Sequence, residues 1–213
     1  MRILILDAVN PRGGWDFARA LAKGLSKKGW DPRVAVLAGC DQLDDARINA
    51  RPVIDRLPII FEDGSIRSVS ILVSLVEGAF YYLIQDERTG RRSAESMNGE
   101  DCATLVRGIL AGLKAIVPRW TPDVVHINDS CPGLASVYLH ALCLREWDLC
   151  RAYLTTVHSR RDSGQANTLV TGSGLGDEVR VVRCYKSPSR LASVYSNIYG
   201  EVLRSSKDEF LAA

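Results

Sequence analysis

Three stretches of this 213-residue chain place polar or reactive side chains directly after apolar runs. Asp7 follows Arg2-Ile-Leu-Ile-Leu6, and Arg12, Gly13 and Gly14 come shortly after it. His126, Asn128 and Asp129 lie in or close the run that starts at Val124, with Ser130 and Cys131 just beyond. His158 and Ser159 follow the run Ala152 to Val157. Carboxylates accept hydrogen bonds, imidazoles donate and accept them, and paired glycines let backbone N–H groups at a helix start approach a phosphate. Such groups beyond the carboxyl ends of strands stand where open α/β sheets bind ligands. Each also has a plainer reading. Asp7 serves equally as a cap or turn residue, Gly13-Gly14 as a tight turn, His126 as a hydrogen-bonded core histidine, and residues 129–132 as an ordinary strand-to-helix loop.

Elements that would carry these residues are legible in the apolar periodicity. Arg2–Leu6 is a short continuous apolar run, the pattern of a strand buried on both faces. A helix is expected from about Trp15 to Lys28, with Ala18, Leu21, Ala22 and Leu25 on its apolar face and Gly29 as its stop. Arg33–Leu37 is the second strand, which makes the start of the chain a βαβ unit with two parallel strands. From Pro52 to Val76 short β-rich runs flank Asp63-Gly64, a hairpin signal. Phe80–Ile84 is a further strand, residues 86–100 a loop, and Asp101–Val117 an amphipathic helix with Leu105, Ile109, Leu113 and Ile116 on one face.

Then come the strand Val124–Asn128, a helix of about Pro132–Glu146 opened by Ser130 and Pro132, and the strand Ala152–Val157. Glycine and serine make 158–178 read as a long loop; Val179–Cys184 reads as a short strand and Ser187–Ser206 as a last helix. The expected fold class is α/β: a single Rossmann-like open, mainly parallel sheet over residues 1–213, with helices on both faces and a β-hairpin insertion.

Composition narrows the function. Hydrophobic residues at 46% with 24% charged are those of a soluble globular protein. A formal charge of +2 and isolated Arg-Arg pairs at 91–92 and 160–161 give no nucleic-acid footprint. No apolar stretch is long enough to span a membrane, and a strand at the very start leaves no leader pattern, so a cytoplasmic location is expected. Six cysteines, at 40, 102, 131, 143, 150 and 184, form no C-x-x-C pair, so no metal site is expected. Gly13-Gly14 is not a G-x-G-x-x-G, and no acidic residue closes the second strand, which disfavours a nicotinamide cofactor.

Pro122-Asp-Val-Val-His-Ile-Asn-Asp-Ser-Cys-Pro-Gly-Leu134, followed by Leu154-Thr-Thr-Val-His-Ser159, resembles the P-D-V-V-H-A-H-D-W-H-x-G-L and T-I-H-N segments of the glycogen and starch synthase family. Order, spacing and flanking hydrophobicity agree, and the resemblance runs to a last helix whose Ser196-Asn-Ile-Tyr199 is similar to a closing S-x-x-Y. It implies half of a GT-B fold, in which two Rossmann-like domains face each other across a cleft. It implies retaining, metal-independent transfer of glucose from ADP- or UDP-glucose to an α-1,4-glucan, with the nucleotide sugar as substrate and no cofactor.

By the same resemblance Asp7, His126, Asp129 and His158 stand at catalytic positions. Arg12, Gly13, Gly14, Asn128, Cys131 and Ser159 stand at positions that hold the nucleotide sugar. Departures are visible as well: Asn128 and Cys131 replace two histidines, and Pro11-Arg-Gly-Gly14 moves the cation of K-x-G-G by one position. Tyr81 or Tyr82 resembles an aromatic residue on the strand before the acceptor loop. The second domain of the family supplies the cations that neutralise the leaving diphosphate. Activity is therefore expected only with a separate C-terminal nucleotide-binding domain or subunit. The alternative is a non-catalytic carbohydrate-binding or regulatory module derived from the acceptor-side domain; a reductase or hydrolase lacks its motifs.

Overall fold

The computed structural model describes residues 1–7, 14–38, 49–61, 63–86, 99–129, 152–158, 166–173, 176–183 and 188–212. Among these residues nine strands form one sheet. They are β1 (Arg2–Asp7), β2 (Asp31–Leu37), β3 (Arg51–Ile60), β4 (Ile66–Val76), β5 (Ala79–Asp86), β6 (Val124–Asp129), β7 (Ala152–His158), β8 (Ala166–Ser173) and β9 (Gly176–Arg183). Three helices accompany them: α1 (Gly14–Ser26), α2 (Gly99–Ile116) and α3 (Pro188–Ala212).

The sheet order is β3-β4-β5-β2-β1-β6-β7-β8-β9. Its middle, from β5 to β7, is parallel, and an antiparallel pair flanks it on each side. The expected open, mainly parallel α/β architecture with its hairpin is present.

Strand alternation divides the core into two layers. On one face Ile3, Ile5, Val34, Val36 and Tyr81 pack with α1 and α3. On the other, Leu4, Leu6, Ala35, Leu37 and Tyr82 pack with α2 and with Ile59, Val69 and Ile71 of the hairpin. Ile3, Leu4 and Ile5 are wholly enclosed. Enclosing one such side chain stabilises the fold by roughly 1.5–3 kcal/mol before chain entropy is subtracted. The predicted faces of α1 and α2 are the buried ones, with Ile116 half-buried at the end of its helix. Gly29, at φ 76°, follows α1 in the left-handed region where glycine is tolerated best.

Helix α2 lies close to the sheet because it carries Gly108 and Gly112. A methyl group at Gly108 would stand 2.9 Å from Ile84 Cγ2, and one at Gly112 would overlap Ile71 Cδ1. Asp63-Gly64 forms the expected turn between β3 and β4, with Gly64 at φ 79°. Across it the Phe61 N–H donates to the Ser65 carbonyl at 2.9 Å, and the Ser65 N–H donates to Asp63 Oδ1 at 2.9 Å.

One expectation is corrected. The stretch 158–178, read as a long loop, contains β8, which pairs antiparallel with β7, Thr155 opposite Val170. The short strand expected at 179–184 is β9, and together β8 and β9 make a second hairpin. Glycines and serines around Thr168-Leu-Val-Thr171 hid a β-branched run whose pairing partner is supplied by tertiary structure. The helix expected at 132–146 lies outside the described residues.

Candidate functional site

β1, β6 and β7 are adjacent and parallel, so their carboxyl ends meet on one side of the sheet. In register, Ile5 stands opposite His126 and Asp7 opposite Asn128. Asp129 and His158 are the last residues of β6 and β7, with Asp129 opposite Val157. Gly14 is the first residue of α1, which packs against β1. The ends of the three runs singled out in the sequence therefore converge. The side chains of Asp129 and His158 lie outside the described residues, as do Arg12, Gly13, Cys131 and Ser159 entirely.

Asn128 Nδ2 donates a 2.9 Å hydrogen bond to Asp7 Oδ1, and both residues are buried. A carboxylate offers about four lone-pair sites, so an amide that occupies one of them also fixes the orientation of the rest. Asp7 acts electrostatically on Tyr81, which lies on the same face of the sheet. Burial pushes the Tyr81 phenol far above its ordinary range; Arg19 offsets this in part, while Glu77 and Asp7 add to it.

Two pairs inward from Asp7 and Asn128, His126 is wholly enclosed. Its Nδ1 lies 2.7 Å from the Tyr199 hydroxyl, a hydrogen bond whose donor depends on the imidazole tautomer. Its ring stacks on Tyr195 with centroids 5.1 Å apart and meets Phe17 edge-on at 6.0 Å. Burial holds the Tyr199 hydroxyl well above its usual pKa, so it stays protonated. His126 thus ties β6 to α1 through Phe17 and to α3 through Tyr195 and Tyr199.

Tyr81 and Tyr82 are both enclosed, on opposite faces of β5. The Tyr82 hydroxyl accepts a 2.7 Å hydrogen bond from Arg33 Nη1, and that guanidinium lies over Trp120 at 4.3 Å and Phe80 at 5.3 Å. Burial raises the Tyr82 phenol, and Arg33 offsets part of that rise. This cluster is at the amino end of the parallel strands, away from Asp7. The aromatic box of His126 went unread in the sequence, although Tyr195 and Tyr199 stand at i and i+4 on one helix face, a spacing that signals it.

Among the described residues no group of His, Cys, Asp and Glu could hold a metal ion. No helix among them is long and apolar enough to cross a membrane.

The sequence matches the family model of the starch synthase catalytic domain over residues 15–200. No curated protein matches it. Among solved structures the catalytic domain of starch synthase IV from Arabidopsis thaliana, bound to ADP and acarbose, superposes with a TM-score of 0.60 at 19% identity. The match covers 74% of this chain and 34% of that one, so the chain spans about a third of its length.

Proposed function

The chain belongs to the starch synthase catalytic domain family of GT-B glycosyltransferases, and from that premise we propose that it is the acceptor-side half of a glucosyltransferase. The reaction is retaining, metal-independent transfer of glucose from ADP- or UDP-glucose to the end of an α-1,4-glucan, in the cytoplasm. The observation that carries this reading is the convergence of β1, β6 and β7, which brings Asp7, Asn128, Asp129 and His158 to one end of the sheet. That the starch synthase IV structure holds ADP and acarbose supports a nucleotide and a glucan-like ligand for this family.

In this scheme Asp7, Asp129 and His158 contact sugar hydroxyls, and Asn128 orients the Asp7 carboxylate. His126 positions β6 from below. Arg12 and the backbone at Gly13-Gly14 approach the diphosphate, the arginine as a planar fork and the glycines by close approach. Cys131 and Ser159 line the donor side; a thiol at Cys131 makes a weaker hydrogen bond there than an imidazole would. Charge developing on the departing diphosphate needs further cations, and stabilising such charge is commonly the largest catalytic contribution. A separate nucleotide-binding domain supplies them.

Mixing the chain with such a domain and following nucleotide release tests the division. Turnover is expected from the mixture and not from the chain by itself; robust turnover by the chain without a partner would refute it.

The Asp7–Asn128 bond favours a second reading, a carbohydrate-binding or regulatory module, because it spends on an internal contact a position that is histidine in the family. Calorimetry with maltooligosaccharides and ADP separates the two. Glucan binding without partner-dependent transfer identifies the module.

A further inference from the structure

We propose that the amino end of the sheet carries a ligand site built around Arg33, for a small monocarboxylate with an apolar body. It does not rest on the transferase reading, since it lies at the opposite end of the strands from Asp7. Register sets its frame. Arg33 on β2 stands opposite Phe80 on β5, and Phe80 stands opposite Leu75 on β4. Tyr82, two residues along β5 from Phe80, packs in the α2 layer, so Phe80 and Leu75 belong to that face as well.

The guanidinium is held in place without being satisfied. Arg33 is only 9% exposed, and its Cζ lies over Trp120 at 4.3 Å and over Phe80 at 5.3 Å. An arginine carries five N–H donors in one plane. One is used here, where Nη1 donates to the Tyr82 hydroxyl at 2.7 Å. Nε is enclosed without a hydrogen-bond partner. The Asp31 carboxylate is turned aside: its Oδ2 accepts from Trp120 Nε1 at 2.6 Å, and its Oδ1 stops 3.5 Å from Arg33 Nε. Nη2 has no partner either and, unlike Nε, is not enclosed. Donors left open between two aromatic rings are costly, and a planar carboxylate satisfies two of them at once.

The neighbours specify the rest of the ligand. Arg51, exposed and opposite Val73, stands on the same face of the sheet. Arg33 and Arg51 set two positive charges against the one negative charge of Asp31, which suits a monoanion better than a dianion. Beside the fork the surface is apolar, with Phe80 40% and Leu75 64% exposed. The ligand is therefore amphiphilic. Its carboxylate meets the Arg33 fork, and its body lies along Phe80 and Leu75, a reach of about 10 Å for one ring contact and one cross-strand pair. Covering those two side chains supplies the apolar part of the affinity.

Calorimetric titration of the full chain with 3-phenylpropionate tests this, with 3-phenylpropanamide, acetate and inorganic phosphate as comparisons. The acid should bind saturably, raise the thermal midpoint, and bind at least about tenfold more tightly than the amide, acetate or phosphate. It should also move the indole N–H resonance of Trp120, which Asp31 holds. Arg33→Lys keeps the charge and loses the fork, and should weaken the acid about tenfold. Leu75→Ser, at an exposed position away from the guanidinium, should keep the thermal midpoint and weaken the acid about threefold. Equal binding of acid and amide overturns the proposal, as does an acid affinity that neither variant changes. Acetate or phosphate binding as tightly as the acid overturns the apolar site and leaves a bare anion contact. Absence of saturable binding, or binding that leaves the Trp120 resonance unmoved, overturns it as well.

Discussion

Asn128 on β6 donates its side-chain amide to the carboxylate of Asp7 on β1 at 2.9 Å, and the two residues are direct cross-strand partners, 0% and 3% exposed. Backbone ladder and side-chain bond thus specify the same alignment at the end of the sheet where ligands are expected. Asn128→Ala leaves the enclosed carboxylate one donor short, at a cost of about 1–3 kcal/mol. Denaturant titration should show the midpoint falling with the slope unchanged.

Tyr199→Phe keeps the ring that packs on His126 and removes only the hydroxyl 2.7 Å from Nδ1. A loss of about 1–3 kcal/mol is expected from the unpaired buried nitrogen. Tyr195→Ala should cost more, roughly 3–5 kcal/mol, since it removes a ring from beneath the imidazole as well. Thermal unfolding of the two variants checks the order.

Gly112→Ala tests the close approach of α2 to the hairpin. Helix propensity would favour alanine by about 1 kcal/mol, yet the added methyl overlaps Ile71 Cδ1, and overpacking of this kind costs about 1–3 kcal/mol. Net destabilisation is expected. Ile71→Val, which removes that Cδ1, should recover most of it in the double variant, measured as a coupling energy.

Glu77 links the β4–β5 turn to α1. Lys23 Nζ donates to its Oε1 at 2.6 Å and Arg19 Nε to its Oε2 at 3.3 Å. The Lys23 hydrogen bond, with smaller help from both positive charges, holds the carboxyl below its usual range in spite of some desolvation. A carboxyl depressed on folding contributes stability above its unfolded pKa and loses it as pH falls through the folded value. Stability should therefore decline below about pH 4.5. Glu77→Gln should flatten that part of the curve and leave its neutral end slightly lower. The effect is small because the pair is partly exposed.

Arg33 lies between Trp120 and Phe80 and donates to Tyr82. Lysine keeps the charge and loses both the planar stack and the fork of donors. Arg33→Lys should cost about 1–3 kcal/mol, and nucleotide or glucan binding should stay as it was, since the cluster lies at the far end of the sheet.

Local chemistry decided much of this protein. Apolar runs at Ile3–Leu6 and Val124–Val125, the helix face Ala18–Leu21–Ala22–Leu25 and the turn at Asp63-Gly64 act over a few residues. Period and turn geometry therefore specified strands β1 and β6, helix α1, the β3–β4 hairpin and the α/β class without long-range information. Tertiary structure decided what touches what. Asp7 and Asn128 are 121 residues apart, as are Arg2 and Asp123, and His126 meets Tyr199 across 73. No local period encodes such pairs; they exist because β6 inserts beside β1 and α3 folds back over both. Strand β8 shows the same limit, since a run that is weak in isolation becomes a strand only when β7 offers it a ladder.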